Sequence, residues 1–223
     1  MNTRQSILII VTGVSETTAG EATGLWLEEF ALPYTEFRRT GFNVSVASIN
    51  GGKAPVDPRS KPAPEQQEAW AEASQALENT IPLAAIDPAD FNAVFIPGGH
   101  GTMFDFPNSE DLGKVLRDFA QQDKVIAAMC HGPASLVGVT LEDGTPLVAG
   151  KTVTSFTNEE ESAAGFSEKM PFLLESRLRE QGANFVGEAN WSNHVQIDGK
   201  LITGQNPQSS RSTALAVIDA LNH

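Results

Sequence analysis

Val125-Ile126-Ala127-Ala128-Met129-Cys130-His131-Gly132-Pro133 decides the fold of this 223-residue chain. Five apolar residues run into the only cysteine and Gly-Pro follows at once, the pattern of a buried strand ending in a sharp turn that opens a helix. The thiol then sits at the corner, facing the positive end of the next helix, where peptide dipoles and free N–H groups favour the thiolate. Ala127 and Ala128 leave room for a tight corner, Gly132 lets the chain turn, and His131 sets an imidazole beside the sulfur. Together they meet the steric and acid–base needs of a nucleophile elbow. A lone cysteine after an apolar run is also a common small buried hydrophobe, so the reading rests on this context.

Upstream, Ile7-Leu8-Ile9-Ile10-Val11 is an unbroken apolar run of the kind found in a central parallel strand covered on both faces. A helix is predicted over about 24–40, with Leu25, Glu29 and Leu32 on one face beside Trp26, Phe30 and Phe37, and Glu28, Thr35 and Arg39 along a polar stripe. Two adjacent glutamates therefore differ: Glu28 is solvated, while Glu29 points toward apolar surroundings. Pro33 lacks the N–H that would bond the Glu29 carbonyl, which predicts a kink there. A glutamate forced into an apolar face has a raised pKa and can hold or shuttle a proton; the alternative is that it turns outward at the kink. Strands follow over 42–48 and 91–96. The second ends in Pro97-Gly98-Gly99-His100-Gly101, whose glycines permit successive N–H groups to point at one spot and stabilise a developing oxyanion.

Between these strands the composition shifts, and about 51–90 carries Pro55, Pro58, Pro62, Pro64, Pro82 and Pro88 around one predicted helix over 65–79, a lid, a site wall or solvent-facing decoration. Beyond the cysteine the expected order is a short helix to about 139, a strand or hairpin over 147–154, and a helix opened by Phe156-Thr157-Asn158-Glu159-Glu160-Glu161. A helix over 171–181, short strands over 184–186, 195–197 and 201–203, and a last helix after Asn206-Pro207 complete it. Alternating strands and helices imply an α/β fold, a mostly parallel sheet covered on both sides, with the site beyond the carboxyl ends of the strands. Cys130, the Gly98-Gly99 turn and the Glu29 region all fall at such ends.

The net charge of -13 and pI of about 4.6 argue against nucleic acid or an anionic membrane as partner and suit a small or neutral substrate. One cysteine excludes an internal disulfide framework. No apolar run approaches the roughly 20 residues that span a bilayer, and Met1-Asn2-Thr3-Arg4-Gln5-Ser6 carries no signal-peptide pattern, so the expected location is the cytoplasm.

With those residues assembled, the chain resembles the ThiJ/PfpI superfamily, the class I glutamine amidotransferase-like fold that includes the parkinsonism-associated deglycase. It looks closest to the branch of heat-shock holding chaperones with glutathione-independent glyoxalase III activity. Ala128-Met129-Cys130-His131-Gly132-Pro133 resembles that branch's nucleophile motif, and 24–41 its first helix. Ala54-Pro55-Val56-Asp57-Pro58, Ile96-Pro97-Gly98-Gly99-His100-Gly101 and Thr203-Gly204-Gln205-Asn206-Pro207 fall in register. The resemblance implies one flavodoxin-like three-layer sandwich over 1–223, interrupted by the proline-rich segment, and a homodimer. It implies Cys130 as nucleophile, His131 as acid–base partner, Glu29 as catalytic glutamate, and Glu161 or Glu160 as third member. The Gly98-Gly99 turn and the backbone N–H groups of Gly99 and His131 would line the oxyanion site.

The activity so implied is that of a cysteine-dependent lyase of the glyoxalase III or D-lactate dehydratase type. Methylglyoxal or a related 2-oxoaldehyde would become a 2-hydroxy acid through a cysteine hemithioacetal, without cofactor. The metal-binding residues of the longer bacterial chaperones have no clear match, and His100, His131, His194 and His223 lack zinc-ligand spacing, so no metal is expected. Two alternatives stand. One is a cysteine hydrolase, a peptidase, amidase or amidotransferase, although the distant His-x-Glu of amidotransferases has as its nearest counterpart His194-Val195-Gln196. The other is a holding chaperone with unfolded-protein clients, a deglycase, or a redox sensor whose thiol oxidises stepwise.

Overall fold

In the computed structural model, which describes residues 4–223, the central strand β1 (Ser6–Val11) shows why a parallel sheet forms. Ile7, Ile9 and Val11 pack into one hydrophobic layer, whereas Leu8 and Ile10 pack into another on the opposite face. A strand buried on both faces cannot afford polar alternation, and each fully buried aliphatic side chain is worth roughly 1.5–3 kcal/mol over its exposed state. The first three residues of the stretch inspected for a signal peptide lie outside the described residues.

The other strands are β2 (Asn43–Ser48), β3 (Ile81–Pro82), β4 (Ala93–Ile96), β5 (Val125–Met129), β6 (Thr152–Val153), β7 (Asn184–Phe185), β8 (Val195–Asp198) and β9 (Leu201–Gly204). Seven form one sheet in the order β3-β2-β1-β4-β5-β9-β8, parallel except for the antiparallel β8–β9 hairpin. The pair β6–β7 forms a separate two-stranded parallel sheet. One face of the large sheet is covered by α1 (Leu27–Arg39) and the C-terminal α8 (Ser210–Asn222), through Phe30, Phe37, Val217 and Ile218. Helices α5 (Glu110–Gln121) and α7 (Leu174–Glu180) pack into the layer on the other face through Leu112, Leu116, Phe119, Leu174 and Leu178. This is the flavodoxin-like three-layer α/β arrangement expected.

Four local readings change. The proline-rich segment holds two short helices, α2 (Pro64–Ala69) and α3 (Ala71–Ala76), broken at Trp70, and also supplies the edge strand β3. A further short helix, α4 (Thr102–Asp105), follows the Gly98-Gly99 turn. Past the elbow lies a five-residue 3₁₀ segment, Gly132–Leu136, rather than an α-helix. Pro171 precedes α7 instead of opening it.

The three carboxyl ends that matter belong to β1, β4 and β5, which are neighbours in the sheet. The chain leaving β1 loops back into α1 and so brings its first turn toward the end of β4. In this way the topology, not sequence proximity, joins residues 29, 98 and 130.

Candidate active site

Cys130 follows directly on β5 with φ 55°, in the left-handed region that a β-carbon disfavours. Such a conformation costs on the order of 1–3 kcal/mol and persists only where its surroundings over-determine it. Here the Cys130 N–H donates to the Gly204 carbonyl at 2.9 Å, and the Cys130 carbonyl accepts from the Phe156 N–H at 2.9 Å. The strained corner points the sulfur off the end of the sheet.

On one side of the sulfur lies His131, whose Nδ1 is 3.4 Å from Sγ. Its Nε2 is 2.7 Å from Glu161 Oε2, and the other oxygen of that carboxylate is 2.8 Å from His100 Nε2. Glu161 reaches the site from α6 (Asn158–Ala164), the acidic helix start of the sequence reading. Burial works against its charge, but His131 and the hydrogen bonds from His100 and His131 outweigh burial and hold the carboxyl well below the usual carboxylate range. Burial and the neighbouring His131 push His100 down to about 4, so it is neutral at physiological pH.

On the other side lies Glu29, in the first turn of α1 and fully buried. Its Oε2 accepts from the Gly98 N–H at 2.8 Å, while Oε1 has no hydrogen-bond partner of its own among the described residues. Burial pushes this carboxyl up to about 8 against the opposing pull of the Cys130 thiol and the Gly98 N–H. Glu28, its half-exposed neighbour, is raised by partial burial alone. The contrast between the two glutamates follows from the helical face each occupies.

Two expectations are corrected here. The Gly98 N–H is occupied by Glu29 and so positions the acid rather than an oxyanion. Among the described residues the Gly99 N–H has no internal acceptor, and the His131 N–H points at the sulfur. Both glycines are required sterically: a β-carbon on Gly98 would lie 2.6 Å from the His131 nitrogen, and one on Gly99 would lie 2.3 Å from the Gly24 oxygen. The second correction concerns the thiolate. With only a 3₁₀ turn beyond it, and with burial and the Glu29 carboxylate both acting against charge, the Cys130 thiol is pushed up, not down.

The choice between the two acids at α6 is made by geometry. Glu160 Oε1 accepts from the Trp191 N–H at 2.8 Å, from Gln205 Nε2 at 3.1 Å and from Asn206 Nδ2 at 2.8 Å, and Oε2 accepts from the Thr157 N–H at 3.0 Å. It closes a capping box and ties the Gln205-Asn206 loop to α6, and it does not reach His131. Glu160→Ala would remove the acceptor of four hydrogen bonds, three of them buried, so we expect it to lower unfolding stability by about 3 kcal/mol in urea titrations.

Residues that the sequence reading left without a role complete the site. Arg59 Nη2 is 3.0 Å from His100 Nδ1, and its guanidinium also binds Asp57. Phe166 stacks on His100 with ring centroids 4.3 Å apart, and Phe156 lies 4.5 Å from the His131 ring. Trp26, Trp191 and Phe156 wall a cavity of about 90 Å³ that has Cys130 and His131 at its base. The signal that could have found His100 is its place in the loop ending β4, and for Arg59 the Asp57-Pro58-Arg59 turn.

His100, His131 and Glu161 also present three ligand atoms within 4.8 Å of one another. They fit a cation poorly: both ring Nε2 atoms already face the carboxylate, and the fixed positive charge of Arg59 abuts the cluster. Among the described residues no helix is long and apolar enough to cross a membrane.

Residues 22–220 match the model of the DJ-1/PfpI family. The chain belongs to that family. Within the DJ-1/PfpI proteins it is 32% identical over 229 residues to Glyoxalase 3 of Candida albicans, covering 96% of this chain and 97% of that one. It is 29% identical to Glutathione-independent glyoxalase HSP31 of Saccharomyces cerevisiae, covering 98% and 99%. The crystal structure of glyoxalase III from Candida albicans superposes on this DJ-1/PfpI chain with a TM-score of 0.88, at 31% identity and 97% coverage of each chain.

Proposed function

We propose that this protein is a glutathione-independent glyoxalase that converts methylglyoxal or a related small 2-oxoaldehyde to a 2-hydroxy acid on Cys130. The observation that carries the reading is a single sulfur flanked by two separate proton carriers, His131 backed by Glu161 and the protonated Glu29. Amide hydrolysis needs one acid–base partner beside the nucleophile; moving hydrogen between two adjacent carbons needs two. The His-x-Glu that an amidotransferase would use has no counterpart at this site: His194 meets Gln196 instead.

The geometry supports the following steps. His131 Nδ1 takes the thiol proton as the sulfur adds to the aldehyde carbon, and returns it to the new oxyanion, giving a hemithioacetal. The Gly99 and His131 N–H groups support the developing charge. Glu29 then donates its proton to the ketone oxygen while His131 removes the hydrogen from the former aldehyde carbon, forming an enediol. Collapse returns a proton from His131 to the second carbon and one from the first hydroxyl to Glu29, leaving a thioester. Water cleaves it to the 2-hydroxy acid and the free thiol. Ionised Glu161 stabilises the imidazolium at each stage, as the acidic member of a triad does.

The small apolar cavity suits a three-carbon dicarbonyl and sets its carbonyls against the few polar groups. Purified protein given methylglyoxal without any thiol is expected to release stoichiometric 2-hydroxy acid, read by chiral chromatography. Absence of product without glutathione contradicts the reading, and release of ammonia from glutamine would favour the hydrolase.

A further inference from the structure

Glu161 has two histidine partners, and the proposed chemistry uses only one. His100 sits at the end of the Gly98-Gly99 turn, buried, with its ring 4.2 Å from that of His131. Its two nitrogens have different partners: Nε2 meets Glu161 Oε1 at 2.8 Å and Nδ1 meets Arg59 Nη2 at 3.0 Å. A guanidinium can only donate, so Nδ1 must accept and the imidazole hydrogen must reside on Nε2. That N–H is then aimed at the carboxylate.

We propose that Arg59 and His100 are positioning residues of the acid–base chain: Arg59 fixes His100 in the Nε2–H form, and that N–H holds Glu161 where it orients His131. Consequently one Glu161 oxygen is saturated by His100, and the other is left for His131 Nε2–H. With that hydrogen on Nε2, His131 Nδ1 is free to accept the proton of Cys130. The chain has an anchor of its own. Asp57, fully buried, accepts from the Arg59 backbone N–H at 2.9 Å and from Nε at 2.8 Å, and Thr23 Oγ1 donates to it at 3.1 Å. Phe166 stacks on the His100 imidazole, and the Arg59 guanidinium and the Lys169 ammonium lie 4.2 Å and 4.6 Å from its ring centroid. The Ala54-Pro55-Val56-Asp57-Pro58 stretch thereby acquires a purpose: it carries the anchor of a relay that ends at the thiol. Conserving a hydrogen-bond donor at position 100, rather than an imidazole as such, is what the relay demands.

The inference rests on the glyoxalase reading for its catalytic consequence, but not for its geometry, so the test uses readouts of both kinds on the full chain. Nitrogen-15 NMR of the wild-type imidazoles should show His100 as the Nε2–H form at neutral pH, and Arg59→Leu, which frees Nδ1 to take a second proton, should move the His100 titration upward toward the ordinary imidazole range. His100→Leu should slow both iodoacetamide alkylation of Cys130 and kcat for methylglyoxal by at least about tenfold, with KM within about twofold. His100→Gln, whose amide N–H can reach Glu161, should restore both. A wild-type His100 carrying hydrogen on Nδ1, or equal loss in the leucine and glutamine variants, overturns the proposal. If His100→Leu does not fold, the His100 titration in Arg59→Leu decides, and an unchanged titration overturns the proposal. If wild-type protein turns over no methylglyoxal, the glyoxalase reading fails while alkylation and tautomer still judge the relay.

Discussion

Cys130→Ala is expected to lower glutathione-free conversion of methylglyoxal by roughly four orders of magnitude or more, the loss typical of removing a covalent nucleophile. Alanine keeps the β-carbon and the two backbone hydrogen bonds, to the Gly204 carbonyl and from the Phe156 N–H, that hold the corner. The variant should therefore fold, with an unchanged circular dichroism spectrum, and fail only in chemistry. Mass spectrometry of wild-type protein mixed with substrate should show an adduct that the variant lacks. An alanine variant within about tenfold of wild type would remove the sulfur from the mechanism and leave Glu29 and His131 as a non-covalent pair.

Glu29→Gln is expected to reduce turnover by roughly a thousandfold, within the range of positioned acid–base catalysis. The amide oxygen can still accept from the Gly98 N–H, so the loop stays in place, but the side chain no longer supplies a proton. The wild-type pH profile follows from the same group. Its carboxyl is raised, so the protonated form that the mechanism requires persists below about 8, and turnover should fall as pH rises through about 8. An alkaline limb unchanged by the identity of residue 29 in any variant with residual activity would contradict that assignment.

How much of this could be read from residues alone varied with the physics involved. The parallel sheet was legible because β1 and β5 are apolar throughout, which only a doubly covered strand tolerates. Helical periodicity offered the burial of Glu29 by setting it on one face with Leu25 and Leu32, with an outward turn at the kink as the alternative; α1 begins only at Leu27, and Glu29 is buried in its first turn. The elbow was legible from small residues around one cysteine. Its electrostatics were not, because the expectation of a thiolate assumed a following α-helix whose dipole would act on the sulfur. The chain makes a 3₁₀ turn there instead, and desolvation dominates.

Glu160 and Glu161 could not be separated in sequence, because adjacent residues on a helix point about 100° apart and either could have faced the histidine. The loop bearing Gln205 and Asn206 decides the matter by claiming Glu160. A Gly-Gly turn offers two N–H groups to an oxyanion, and only the fold shows that a carboxylate on α1 takes the first. His100 and Arg59 escaped the reading for a related reason: their roles depend on a carboxylate 61 residues beyond His100 and on a loop inserted before β3.

The central claim is that the resting sulfur is a neutral thiol, kept so by burial and, once the Glu29 carboxyl ionises, by its negative charge, and that the proton is removed at the moment of attack. The direct measurement is the rate of Cys130 alkylation by iodoacetamide in wild type and in Glu29→Gln above about pH 8, where the Glu29 carboxyl has ionised. Removing the carboxylate should ease ionisation of the thiol and raise that rate while methylglyoxal turnover falls. A rate that falls together with turnover, or does not change, would mean that Glu29 does not govern the sulfur and would contradict the account.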